Sequence, residues 1–142
     1  MLRYGGRTCP FLSARFAAGQ LVDAIDVFNA DDPTSQSWLS PFEVWLGEAP
    51  HALDITADSP SSFRCVEPLS GNSTIRVPPG IGPFRVNCAM AGDVRGKTYI
   101  TLRLVPSHDE YRQHRVLSVG DLVAYATPSC QGYRLGGYRL VT

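Results

Sequence analysis

Lysine is almost missing from this chain: Lys97 stands alone beside twelve arginines. Net charge is missing too, because 13 basic residues meet 13 acids, so the chain as a whole carries no attraction for nucleic acid or an acidic membrane surface. No run approaches the ~18 consecutive apolar residues of a membrane-spanning helix. Four cysteines are present without a C-x-x-C pair, which removes the common spacing of a zinc site. G-x-S-x-G, a Gly-rich phosphate loop with Lys and H-E-x-x-H are all lacking, so no catalytic residue, metal or cofactor is expected.

What is abundant is punctuation. Thirteen Gly and 11 Pro suit many short strands joined by tight turns. At 142 residues and 44% hydrophobic composition the chain has the size and apolar content of one self-sufficient domain. The expectation is an all-β, mostly antiparallel fold, a β-sandwich or jelly-roll-like single domain with short helical turns. Residues 1–19, with Arg3, Arg7 and Arg15 and interruptions at Gly5, Gly6 and Pro10, read as an N-terminal arm. A targeting segment is the alternative, although the apolar block of a secretory signal is lacking. Residues 20–142 then form the domain.

Residues 20–29 fit either a helix or a strand and lean to strand. Residues 31–35, Asp-Asp-Pro-Thr-Ser, read as a polar turn. In residues 42–46, Phe42, Val44 and Leu46 share one face of a strand, and a turn at residues 47–50 leads into a hairpin partner at 51–57. Residues 63–66 give a short strand. Residues 78–83, Pro-Pro-Gly-Ile-Gly-Pro, form a rigid turn. Beyond it Phe84, Val86, Cys88 and Met90 alternate with Arg85, Asn87 and Ala89, and a turn at 92–96 returns the chain into residues 97–105. There Ile100, Leu102 and Leu104 face inward and Tyr99, Thr101 and Arg103 outward, predicting a meander of at least three strands. Residues 116–126, broken at Gly120-Asp121, predict two short strands, and a last strand is kinked at Gly136-Gly137.

Cys9, Cys65, Cys88 and Cys130 allow three pairings in an exported protein, or four reduced thiols in the cytoplasm, which the lack of a secretory block slightly favours. His108, Asp109, Glu110 and His114 are the one dense group of acid, base or ligand side chains, but the interleaved Tyr111, Arg112 and Arg115 make a solvated connector the better reading. Two Tyr-Arg pairs, Tyr133-Arg134 and Tyr138-Arg139, resemble a base-stacking pattern and equally an exposed strand, so nucleic acid is not the expected partner. Asn72-Ser73-Thr74 matches the glycosylation triplet, which matters only in a secreted eukaryotic protein.

Charge is unevenly spread. Residues 1–71 hold nine acids against four arginines, and between Phe16 and Phe63 no Lys or Arg occurs. The plain reading is solvated strand faces. The sharper one is a negative surface facing a basic partner.

Two segments resemble the competence protein J family, small bacterial proteins that include inhibitors of a DNA-entry nuclease. In residues 20–38 an apolar strand ending in Val27-Phe28 is followed by Asp31-Asp32-Pro33 and Trp38. In residues 74–105 a strand, Val77-Pro78-Pro79-Gly80, Phe84-Arg85-Val86-Asn87-Cys88, a polar loop and Thr98-Tyr99-Ile100 follow in order. The resemblance implies a protein-binding module, a nuclease or toxin inhibitor or an immunity-type protein, in which Asp26, Asp31, Asp32, Glu43 and Glu48 form the charged surface. Trp38 would be its aromatic anchor, or else a core residue. The alternative is a structural subunit of a symmetric homo-oligomer such as a shell or surface layer, and a small metal-dependent hydrolase stands behind both.

Overall fold

The computed structural model describes residues 2–4, 7–16, 21–49, 57–105, 117–126 and 140–141. Among these described residues, ten strands and one helical turn follow in the order β1 (Leu2–Tyr4), β2 (Arg7–Cys9), β3 (Phe11–Arg15), β4 (Ala24–Asn29), α1 (Pro33–Gln36), β5 (Phe42–Gly47), β6 (Ser62–Arg64), β7 (Phe84–Asn87), β8 (Tyr99–Leu104), β9 (Val119–Tyr125) and β10 (Leu140–Val141). One four-stranded sheet has the order β10-β9-β4-β7 and the other β3-β8-β5-β6, while β1 and β2 pair separately. Every pairing is antiparallel except that of β10 with β9. The fold is therefore an all-β, mostly antiparallel sandwich. Among the described residues no helix is long and apolar enough to cross a membrane.

Alternation along the strands builds the core between the two sheets. Ile25 and Val27 of β4 and Val86 of β7 meet Phe42, Val44 and Leu46 of β5 and Ile100, Leu102 and Leu104 of β8 in one buried cluster. Part of the segment expected as an arm, Phe11–Arg15, forms the edge strand beside β8, in register from Phe11 opposite Arg103 to Arg15 opposite Tyr99.

The two sheets touch at one corner. Val66 and Asn87 exchange both backbone hydrogen bonds, at 2.9 and 2.8 Å, so the chain leaving β6 pairs with the end of β7. The neighbouring residues, Cys65 and Cys88, are joined by a disulfide and completely buried. Cys65 also donates its N–H to the Val44 carbonyl at 2.8 Å, so a single residue is tied to both sheets.

The predicted meander does not form. β7 pairs with β4 and β8 with β5, so residues 88–98 carry the chain from one sheet to the other instead of turning it back. The reason lies at the end of β7, where the Cys88 and Ala89 N–H groups both donate to the Asp23 carbonyl and close the ladder. Met90, expected on the apolar face, is consequently 64% exposed. Residues 119–125 form one strand rather than two. Gly120 is the extra residue of a bulge, since Phe28 pairs with Asp121 but Asn29 with Val119. The hairpin partner expected at 51–57 falls almost wholly outside the described residues, as do residues 107–115 and the Tyr-Arg repeats.

Two substitutions probe this architecture. A Cβ at Gly120 would lie 2.5 Å from the Asn29 carbonyl oxygen, a backbone atom with little room to retreat. Gly120→Ala is expected to destabilise the fold by about 1–3 kcal/mol in urea denaturation. Replacing Cys65 and Cys88 together by Ala removes a cross-link spanning 23 residues of sequence, and a loss of roughly 3 kcal/mol is expected from the loop entropy returned to the unfolded chain.

Candidate functional site

With Ile25 and Val27 facing the core, Asp26 must point to the opposite side of β4, where its neighbours across the sheet are Arg85 and Val123. Arg85 grips it from two nitrogens, Nε to Oδ1 at 2.8 Å and Nη2 to Oδ2 at 3.0 Å, and the Tyr125 hydroxyl donates to Oδ2 at 2.8 Å. The guanidinium also lies 4.2 Å from the centre of the Tyr125 ring. Burial pushes the Asp26 carboxyl upward, but the bonds from Arg85 and Tyr125 and the charge of Arg85 outweigh it, holding the group below the usual carboxylate range. The same bond to Asp26, with burial, raises the Tyr125 phenol.

The outer face of the second sheet carries another closed group. Glu43 and Arg103 are directly opposed in β5 and β8 and form an ion pair with both side chains almost fully buried. Trp45 Nε1 donates to Glu43 Oε1 at 3.1 Å, and Arg64 Nη1 donates to Oε2 at 3.1 Å. Both guanidiniums stand 5.3 Å from the Trp45 ring centre. Asp58 accepts from Arg64 Nε at 3.1 Å, balancing the second positive charge. Beside them the Ser13 and Thr101 hydroxyls are 2.6 Å apart. Thr101 and Arg103 thus face away from the core, as predicted, yet they are buried rather than solvated.

A third region is open to solvent. Between β4 and β5, Asp32 caps α1 by accepting from the Ser35 N–H at 3.1 Å and the Ser35 hydroxyl at 2.8 Å. Those bonds lower its carboxyl below the usual range. Gln36 reaches back to the Ala30 carbonyl at 3.0 Å and Asn29 Nδ2 donates to the Gln36 carbonyl at 3.0 Å, locking the turn onto the strand. On the other side the Asn29 N–H donates to Ile81 O at 2.8 Å. Gly82 must be glycine here: its φ is +98°, and a Cβ would fall 2.9 Å from the Val27 carbonyl oxygen. These bonds bring Phe28, Asp31, Ile81 and Asp121 around one depression of about 460 Å³.

The acids anticipated as one surface are accordingly divided. Asp31 and Asp32 are both exposed, and Asp31 lines this depression. Trp38, two residues beyond α1, is partly buried, while its neighbour Leu39 takes the core position. Asp26 and Glu43 are not surface charges: two-sided burial of β4 and β5 places them under arginines on the outer faces of opposite sheets. Glu48 follows the far end of β5, 3.6 Å from the buried ammonium of Lys97. Asp121 and Ile81 were missed because in the sequence they belong only to a strand break and a Pro/Gly turn. Arg85 was legible only as a residue alternating with Phe84 and Val86, and Tyr125 only as part of a strand segment. The chain matches no family model, and no curated protein or solved structure matches it.

Because the folded-state pKa of Asp26 is depressed, its contribution to stability is present above the unfolded value near ~3.9 and disappears as pH falls through the lower folded value. Asp26→Asn is expected to lose about 1–3 kcal/mol at pH 7. In urea melts between pH 2 and 7 the gap to wild type should narrow below about pH 4; a gap independent of pH would contradict the ion-pair account.

Proposed function

We propose that the protein is a non-enzymatic binding module that meets a basic patch of another protein at the end of the sandwich bearing Asp31, Asp32 and Asp121. One observation carries this reading: the exposed Asp31 and the partly buried Asp121 line a depression whose wall also contains Phe28 and the half-exposed Ile81, with the exposed Asp32 next to Asp31 in the chain. Carboxylates at a rim steer a positively charged partner, and an apolar floor supplies the desolvated contact that holds it. The sequence resemblance to nuclease inhibitors gives the partner its class. A nuclease is basic where it binds phosphates, and carboxylates presented by an inhibitor compete for that same surface. The Cys65–Cys88 bridge persists best in an oxidising environment, so the encounter would take place there.

Inhibition of DNA cleavage by a basic nuclease of the same cell is the direct test. An Asp31→Asn, Asp32→Asn double variant keeps a side-chain acceptor at the α1 cap and removes two charges. It is expected to associate roughly tenfold or more slowly at low salt and to show a flatter salt dependence than wild type. Inhibition and salt dependence equal to wild type would refute the assignment.

A further inference from the structure

A second hollow is lined by Val77 and Pro83, on either side in sequence of the turn that gives Ile81 to the first. It is a cleft of about 640 Å³ bordered by Glu67, Asn72, Thr74, Arg76, Phe84 and Arg85. All of its lining residues fall between Cys65 and Cys88, so the buried disulfide closes the base of the very loop that forms the walls.

Those walls are fixed from behind. Glu67 N–H donates to the Asn72 carbonyl and Gly71 N–H to the Glu67 carbonyl, both at 2.8 Å. Ile75 exchanges backbone hydrogen bonds with Phe42 and is buried, and Val77 N–H donates to the Ser40 hydroxyl at 3.0 Å. Across the cleft Arg85 is immobilised by Asp26 and Tyr125 while 48% of its side chain remains exposed. A guanidinium has five N–H donors, more than those two partners occupy. Arg76 is exposed and, among the described residues, has no carboxylate partner.

We propose that this cleft binds a polyhydroxylated ligand, a neutral saccharide with adjacent hydroxyl groups. The choice of chemistry follows from the mixture of donors and acceptors. A simple anion offers acceptors alone and would be repelled by Glu67, whose carboxylate is kept ionised by bonds from the Ser70 hydroxyl and the Ser70 and Leu69 N–H groups. The charge of Arg85 is already balanced by Asp26, leaving Arg76 and Glu67 to offset each other. A hydroxyl group both donates and accepts, so a row of them is satisfied by carboxylate, amide and guanidinium together. The partly buried Phe84 ring provides an apolar strip for the C–H face of a sugar. Because Glu67 and Arg85 are held before the ligand arrives, less ordering is needed on binding.

The test applies the full chain to an array of immobilised neutral, uronic, sulfated and phosphorylated oligosaccharides. Retention on neutral oligosaccharides is expected, unaffected by added inorganic phosphate. In an Arg76→Ala, Asn72→Ala double variant, whose exposed side chains leave the core untouched, it should weaken at least about tenfold. Retention on no oligosaccharide, equal retention by the variant, or retention restricted to sulfated and phosphorylated members and displaced by phosphate would each overturn the proposal.

Discussion

Where β6 ends, Cys65 and Val66 leave one sheet and reach the other, and much of the molecule depends on that corner. Two stacked sheets can slide or splay unless something fixes their relative position. Here two backbone hydrogen bonds and a covalent S–S link do so at adjacent residue pairs. β6 itself is only three residues long and could not hold the seam alone. With the corner closed, Phe63, Cys65 and Cys88 are sealed into the core, and the chain between the cysteines becomes a tied loop.

That loop supplies a wall to each of the two hollows. Ile81 faces the depression with Asp31 and Asp121, and Pro83, just before β7, borders the other. Both sites therefore inherit their shape from the same constraint, through a turn that presses Gly82 against the Val27 carbonyl. The buried ion pairs contribute in another way. Asp26 with Arg85 and Glu43 with Arg103 place matched charges on the outer faces of the two sheets. Breaking one would leave a desolvated carboxylate without its partner, which is costly.

The strands were legible to the extent that one of their faces is apolar. Phe42, Val44 and Leu46, and likewise Ile100, Leu102 and Leu104, carry the alternation openly, and both runs are strands with those residues in the core. Their partners were not legible, because alternation identifies a face and says nothing of which strand lies beside it. Residues 84–87 and 99–104 look like a hairpin in sequence, yet Asp23, far upstream, takes the Cys88 and Ala89 hydrogen bonds that would have continued it. The disulfide was equally open, since three pairings of four cysteines are indistinguishable without the corner that brings 65 and 88 together. Charge gave only half of the candidate site. The pair Asp31-Asp32 stands out in a sequence, but Asp26 and Glu43 look the same there, and only the pairing of strands reveals the arginine opposite each.

Trp45 and Trp38 sit in contrasting surroundings. One indole is sealed between two guanidiniums on the face of a sheet, with its N–H held by Glu43; the other is partly open beside the Asp31-Asp32 turn. Their emission consequently separates into a component shielded from dissolved quenchers and one within their reach. A collision quencher added to the native protein silences chiefly Trp38, which makes the chain carry its own optical reporter next to its acidic end, with Trp45 as the internal reference.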